Sequence, residues 1–436
     1  MLNGRSQNTR ARAMGLAPFL LGFLLLGGVQ SAPTLPENEL RAMVLAAQGE
    51  PSARPLPKPG PASLPSAPAA EDEAEVRRQT RAAVDRALRY LSRRQTEPDG
   101  SLSFAQESFS DGEPRGGEDR RAPFAVTALA ALAYMADGNT EMHGPYSANL
   151  QAAIDYLLNK ATFDTGRDGQ EAAYLSADGD RLSRMHGHGY ATLALAEVLG
   201  MSGALGGAAG GRARIERIRK TLAAAVRKIV ASQGQLGGWY YEPRIDDSHE
   251  GSVTITLVQA LRAARNAGIA VPAGTIHRAV DYVRKSQVDR GENVGAFRYQ
   301  IGSDDVSVAL TAAAISTLNA TGDYDSEIID RGMKYMMKQL ERRDRGESSR
   351  RLQILSPAYE LLYVAQALRQ YRDPEAFPEW FRKARRTLLK TQQIRAVDGG
   401  QREEGSWGDP YGRMLSTAIG VLVLRMDDSY LPIFER

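Results

Sequence analysis

Six segments rich in Ala and nearly free of charge recur along this chain, and each follows a segment that mixes charged and apolar residues at helical spacing. The amphipathic members cover 83–94, 150–160, 215–232, 276–286, 328–340 and 380–391. The Ala-rich members cover 122–135, 189–199, 251–267, 305–320, 357–370 and 414–425. Runs such as Val126-Thr127-Ala128-Leu129-Ala130-Ala131-Leu132 are apolar nearly all round, so a helix built from them needs enclosure. Tyr282-Val283-Arg284-Lys285 and Thr387-Leu388-Leu389-Lys390 instead give one buried stripe and one wet face. Small side chains also let neighbouring helix backbones approach closely. An outer set of amphipathic helices around an inner set of apolar ones satisfies both demands. The expected fold is therefore all-α: an α/α toroid (α6/α6 barrel) of about six helical hairpins, repeating at intervals of roughly 50 to 70 residues. An open superhelical solenoid is the competing arrangement. The intervening loops are aromatic but short and Gly-interrupted, which gives strands little support.

The first part of the chain obeys other rules. Arg5, Arg10 and Arg12 precede an uncharged, Leu-rich stretch over 14–28, and Val29-Gln30-Ser31 supplies small residues beyond it. Residues 1–32 thus read as a signal peptide, and the stretch is shorter than the ~20 residues a span requires. An uncleaved anchor is the alternative, and it is the one route to membrane contact. Residues 33–74 are rich in Pro, Ala and Ser and read as a disordered, polyproline-like linker, with an acidic run at 71–75 leading into the first helix of the toroid, 75–436. The expected location is extracytoplasmic, secreted or periplasmic. The chain contains no Cys, which removes disulfides, a thiolate nucleophile and sulfur-based zinc sites. A formal charge of +3, carried by those three N-terminal arginines, provides no electrostatic case for nucleic acid.

Val230-Ala231-Ser232-Gln233-Gly234-Gln235-Leu236-Gly237-Gly238-Trp239 resembles the Gln-Trp repeat of squalene and hopene cyclases. The segment 387–392 with Gly405-Ser406-Trp407 resembles it again, and Ser286-Gln287 with Gly295-Ala296-Phe297 is a weaker copy. Three further stretches make the chain similar to the secreted bacterial prenyltransferase and squalene oxidase repeat proteins. They are His186-Gly187-His188-Gly189-Tyr190, Gly238-Trp239-Tyr240-Tyr241-Glu242-Pro243 and Tyr430-Leu431-Pro432-Ile433. The resemblance covers roughly 84–436 and implies the toroid shared by terpene cyclases and protein prenyltransferases. The hairpins around Thr96, Ala161 and Glu341 depart from it by lacking the terminal Trp.

In such a toroid the inner helices begin at one mouth, where unpaired amides and helix dipoles favour anionic or polar groups. Ser303-Asp304-Asp305 opens one of these helices. The resemblance to class II terpene cyclases implies Asp304 as proton donor and Asp305 as its neighbour, although Gly302 stands where that motif has its first Asp. Adjacent carboxylates raise one another's pKa, whereas a helix N-terminus lowers it. An acidic N-cap explains the same residues. Only 7% aromatic residues argue against an aromatic-lined cyclase chamber. His186 and His188 form a His-x-His pair that Asp246 or Glu250 could complete as a metal site, and a polar helix cap explains them as well. Trp239, Tyr241, Asp246, Asp247, His249 and Glu250 share the richest loop. Aromatic platforms beside carboxylates also occur in carbohydrate-active toroids, while Trp239 equally suits packing between helices. The charged run 341–351 reads as a solvated loop, and 203–211 has no phosphate-loop Lys after it.

The expectation is a ligand or protein partner held at the cavity mouth by His186, His188, Tyr190, Trp239, Tyr241, Asp247, His249 and Trp407. No cofactor and no metal are expected. Cyclase-type acid catalysis by Asp304 and Asp305, and a carbohydrate-active toroid using Asp246, Asp247 or Glu250, are the alternatives.

Overall fold

Twelve α-helices occupy the described residues, and they alternate between two kinds of burial. The computed structural model describes residues 68–95, 98–101, 122–166, 169–177, 180, 184–203, 209–322, 326–347, 356–428 and 431–434. The signal-peptide reading of 1–32 and most of the linker lie outside these residues, as does most of the 203–211 insertion. Ser66–Arg436 is one compact unit.

The enclosed helices are α2 (Pro123–Ala136), α4 (Arg184–Gly203), α6 (Gly251–Asn266), α8 (Val308–Ala320), α10 (Pro357–Gln370) and α12 (Arg413–Leu424). Every residue of α8 is buried, as is every residue of α2 after Pro123. The amphipathic helices are α1 (Pro68–Arg94), α3 (Ser147–Asn159), α5 (Ala209–Ala231), α7 (Ala273–Lys285), α9 (Glu327–Asp344) and α11 (Ala376–Thr391). In α11 the buried residues Phe377, Phe381, Ala384 and Leu388 recur every three or four positions, the stripe that 3.6-residue periodicity dictates. α1 begins at Pro68, inside the stretch read as linker; Pro tolerates the first helical turn because its missing N–H would be unpaired there anyway.

The enclosed helices pack in the order α2, α4, α6, α8, α10, α12, and α12 packs back on α2. Four glutamines, three of them buried and Gln95 half-buried, each at the end of an amphipathic helix, tie that helix to another amphipathic one. Gln95 Nε2 donates to the carbonyls of Gly100 and Asn149, both at 2.9 Å. Gln233 Nε2 donates to Gly237 (2.8 Å) and Thr275 (2.9 Å), and Gln287 Nε2 to Gly295 (3.2 Å) and Ile328 (2.8 Å). Gln392 Nε2 donates to Ala83 at 2.8 Å, which joins the last amphipathic helix to the first. An arginine one turn further along the receiving helix, Arg278, Arg331 or Arg86, donates to the amide oxygen of Gln233, Gln287 or Gln392. Gly237 and Gly295 (φ 93° and 91°) make the tight turn beside this tie, where a Cβ would collide with the Arg278 or Arg331 carbonyl.

Two antiparallel β-hairpins correct the expectation of strand-free loops. β1 (Thr162–Thr165) pairs with β2 (Glu171–Tyr174), and β3 (Gln393–Val397) with β4 (Arg402–Ser406). The second turns through Asp398-Gly399-Gly400, all at positive φ, a conformation that suits Gly and is tolerated by Asp. Glu404 on β4 is buried and receives Arg94 (2.9 Å) and Arg395 (2.6 Å), so this hairpin also fastens the end of the chain to α1.

Removing one glutamine amide strands a buried carbonyl, at a cost of about 1–3 kcal/mol. Gln392→Ala is therefore expected to lower the unfolding free energy in denaturant melts by that amount, matching Gln233→Ala. A neutral Gln392→Ala beside a costly Gln233→Ala would show that the first and last hairpins are not tied.

Candidate functional site

The aromatic residues of the Gln-Trp pattern are structural wedges. Trp239 Nε1 donates to Ile229 O at 2.8 Å and Trp407 Nε1 to Leu388 O at 2.9 Å, in each case in the last turn of the preceding amphipathic helix. The backbone N–H groups of Trp239, Phe297 and Trp407 donate to Thr254, Thr311 and Thr417 Oγ1 on the following enclosed helix, at 3.0, 3.1 and 3.2 Å. Both tryptophans are buried, so neither offers a face to a ligand. The expectation of ligand contact fails for them because packing uses the ring and hydrogen bonding uses the indole N–H.

The histidines divide. His188 is fully buried; its Nδ1 accepts from Leu175 N–H (3.1 Å), which leaves Nε2–H to face Ala225 O (3.3 Å). Both ring nitrogens are spent on structure, so no lone pair remains for a ligand or metal. Burial depresses its pKa to about 3, against the Ala225 hydrogen bond, which acts upward. His186 lies half-buried in the first turn of α4, shares a hydrogen bond with the Ser252 backbone, and is pushed down to about 4 by burial. His249 Nδ1 lies 3.0 Å from the Tyr282 hydroxyl, with the rings edge to face at 5.2 Å. Among the described residues, no group of three or more His, Asp or Glu side chains could hold a metal ion.

Asp304 and Asp305 stand exposed in the turn before α8. Ser307 caps that helix, accepting from Leu310 N–H at 3.0 Å, while Asp305 shares a local hydrogen bond with Ser303 (3.2 Å). An alkene-protonating acid needs a dry, apolar chamber, and here the carboxyls are solvated. Asp246 and Asp247 are likewise exposed, in contrast to Glu250 four residues after the first of them, which is 2% exposed.

Side chains occupy the space between the enclosed helices. Gln259 on α6 donates to Gln366 on α10 (2.7 Å), and Thr256 Oγ1 lies 3.4 Å from the Tyr363 hydroxyl across the same gap. Tyr190 from α4 shares hydrogen bonds with Tyr363 and Thr256. The far ends of these helices meet the C-terminal segment, whose buried Leu431, Ile433 and Phe434 sit against α6 and α10. Gln370 Nε2 donates to Ile433 O (3.4 Å), and the Ile433 backbone bonds the buried Glu197, which burial raises to about 7. A cavity of about 360 Å³ lies among α1, α11 and the end of α12, and its arginines are matched by acids: Arg385 with Glu73, Arg81 and Arg425 with Asp137.

The starting ends of the enclosed helices hold the arrangement that sequence reasoning missed. At four of the six starts one N-terminal amide is taken by the loop that precedes the next enclosed helix. Met185 N–H donates to Tyr241 O (3.0 Å), Gly251 N–H to Tyr299 O (2.7 Å), and Ala358 N–H to Asp409 Oδ2 (3.0 Å). Buried Asp180 accepts from Phe124 N–H in the same manner and is raised to about 6 by burial. Each of these starts thereby offers one donor fewer to an anion.

Acceptors remain instead. Glu250 caps α6 through Oε2, which receives Val253 N–H (2.8 Å) and the Ser252 hydroxyl (2.6 Å), whereas Oε1 is buried without a partner. The Tyr359 hydroxyl, in the first turn of α10, is also buried, beside the Tyr363 hydroxyl. Burial raises the hydroxyl pKa of Tyr241, Tyr282, Tyr299 and Tyr359, and the adjacent Glu250 carboxylate adds to the rise at each. Burial likewise pushes Glu250 up, opposed by Ser252 and Val253. Tyr241 and Tyr299 share one signal in the chain: each lies two residues past an aromatic wedge, as Asp409 does past Trp407. No known family model matches the chain, and no curated protein is significantly similar to it.

His188 gives a pH signature. Its folded pKa of about 3 lies below the usual 6.5, so its stabilising contribution is complete above pH 6.5 and drains away as pH falls. The loss is about 1.4 kcal/mol per pH unit within that window. The stability advantage of wild type over His188→Ala, measured by urea melts, is expected to shrink by about 2 kcal/mol from pH 7.5 to pH 5. A pH-independent gap would contradict the buried, neutral imidazole.

Proposed function

We propose that this protein is an exported, squalene-cyclase-like repeat protein whose helices form a closed α/α toroid, and that it binds a ligand at the mouth bounded by Glu250, Tyr241, Tyr299 and Tyr359. The return of packing from α12 to α2 and the Gln392–Ala83 tie support closure over an open solenoid. The Gln-Trp pattern supports the family, and the basic, Leu-rich start of the chain supports export.

One observation carries the choice of binding over cyclisation. The interior is occupied by the Tyr190–Thr256–Tyr363 and Gln259–Gln366 contacts, so a polyene has no deep apolar shaft in which to fold. Asp304, the acid that cyclase chemistry would use, faces solvent. The carbohydrate-active alternative needs Asp246 or Asp247 as a second acid beside Glu250, and both are exposed.

Native mass spectrometry of protein recovered from the extracytoplasmic fraction tests this reading. A bound mass is expected, retained in Asp304→Asn and lost in Tyr299→Ala. Turnover of a polyprenyl substrate by wild type that disappears in Asp304→Asn would overturn the binding function in favour of catalysis.

A further inference from the structure

Among the described residues, the mouth brings neither a hydrogen-bond donor nor a Lys or Arg to Glu250 Oε1. We propose that it takes a primary alkylammonium group, seated on Glu250 Oε1 and the Tyr359 hydroxyl beside the rings of Tyr241 and Tyr299. The inference rests on the mouth being the binding site, and it specifies the chemistry recognised there.

Three features of the site select this group. Glu250 is 2% exposed, its Oε1 has no partner, and among the described residues no Lys or Arg is paired with it. Burial raises the Glu250 pKa, and water could donate a hydrogen bond to Oε1 without bringing the charge that would hold the carboxylate form. An ammonium supplies donor and charge together, and tyrosine faces add cation–π attraction.

The second feature is the state of Oε2. It is already engaged by Ser252 and Val253, so the carboxylate offers a single oxygen. A guanidinium gains most from two parallel hydrogen bonds, which one free oxygen cannot provide. An ammonium needs one acceptor per N–H, and Glu250 Oε1 with the Tyr359 hydroxyl supplies two. Quaternary ammonium has no N–H and would leave both atoms orphaned.

The third feature is the fate of the amides. With Met185, Gly251 and Ala358 N–H groups donated to Tyr241, Tyr299 and Asp409, each of these three starts has lost a donor that an anion would use. His186 and His249 flank the site, and burial lowers both, which keeps the imidazoles neutral and leaves the cationic role to the ligand.

Isothermal titration of the full-length protein at pH 8 tests the proposal, with n-butylammonium chloride, Nα-acetyl-lysine amide, tetramethylammonium chloride and sodium butyrate as probes. Saturable binding of one or both primary amines is expected, with tetramethylammonium roughly tenfold weaker and butyrate silent. Glu250→Gln should weaken the amine by roughly tenfold or more, since a charge-assisted contact is lost. Tyr359→Phe, which removes one hydroxyl and keeps the ring, should weaken it by roughly threefold or more. Tighter binding of the lysine derivative assigns the group to a peptide, and tighter butylammonium to a free amine; both support the proposal. No saturable heat from either amine, or an unchanged affinity in Glu250→Gln, overturns it. If the amines are silent while native mass spectrometry still finds a mass lost in Tyr299→Ala, the ammonium inference fails and the mouth as binding site stands.

Discussion

A buried glutamine amide at the end of an amphipathic helix is the contact on which the arrangement depends. Its N–H₂ group satisfies carbonyls of its own loop and of another amphipathic helix, and its oxygen receives a side chain from that helix. Alanine-rich surfaces are smooth and weakly specific, so packing alone would let neighbouring hairpins slide. A hydrogen bond with fixed donors sets the register, and its burial makes every other register expensive. The indole wedges of Trp239 and Trp407 act on the same junction from the other side. The Gln392–Ala83 bond applies this rule across the ends of the chain, which is why it matters more than its single hydrogen bond suggests.

That register has a consequence at the mouth. Once hairpins are locked, the residue two past the wedge falls beside the start of the preceding enclosed helix, where Tyr241, Tyr299 or Asp409 accepts an amide. At each of these starts one amide is satisfied from within, so the dipole field persists while a donor is lost. What remains there is the buried Glu250 carboxyl among tyrosines whose hydroxyl pKa burial raises. The same hydrogen-bond economy that stabilises the helices converts an anion site into one that seeks a donor.

The helices were legible in the sequence because amphipathic and all-round apolar patterns differ within single turns, as in 380–391 against 309–315. The β3–β4 hairpin was present as Asp398-Gly399-Gly400 after β-favouring Ile394 and Val397, yet charge in the same stretch masked its alternation. The site was less legible. Its caps are non-local: Asp409 reaches Ala358 across 51 positions, and His188 is fixed by Ala225 across 37. Tyr359 carries no motif and Tyr299 only its place two residues past Phe297, and neither says whether a tyrosine hydroxyl has found a partner. Asp304 and Asp305 attracted notice through charge, but Ser307, a plain cap, holds the helix start.

Closure of the toroid is the claim from which the mouth, the occupied interior and the shared opening all follow. The absence of cysteine allows it to be tested directly with Arg93→Cys and Asp398→Cys, whose side chains pair at 2.8 Å although they lie 305 positions apart. A short bis-maleimide is expected to link the two within one molecule, giving a faster-migrating monomer in denaturing gels. Modification of both sites without an intramolecular link would place the first and last hairpins apart, as in an open row, and would contradict the account.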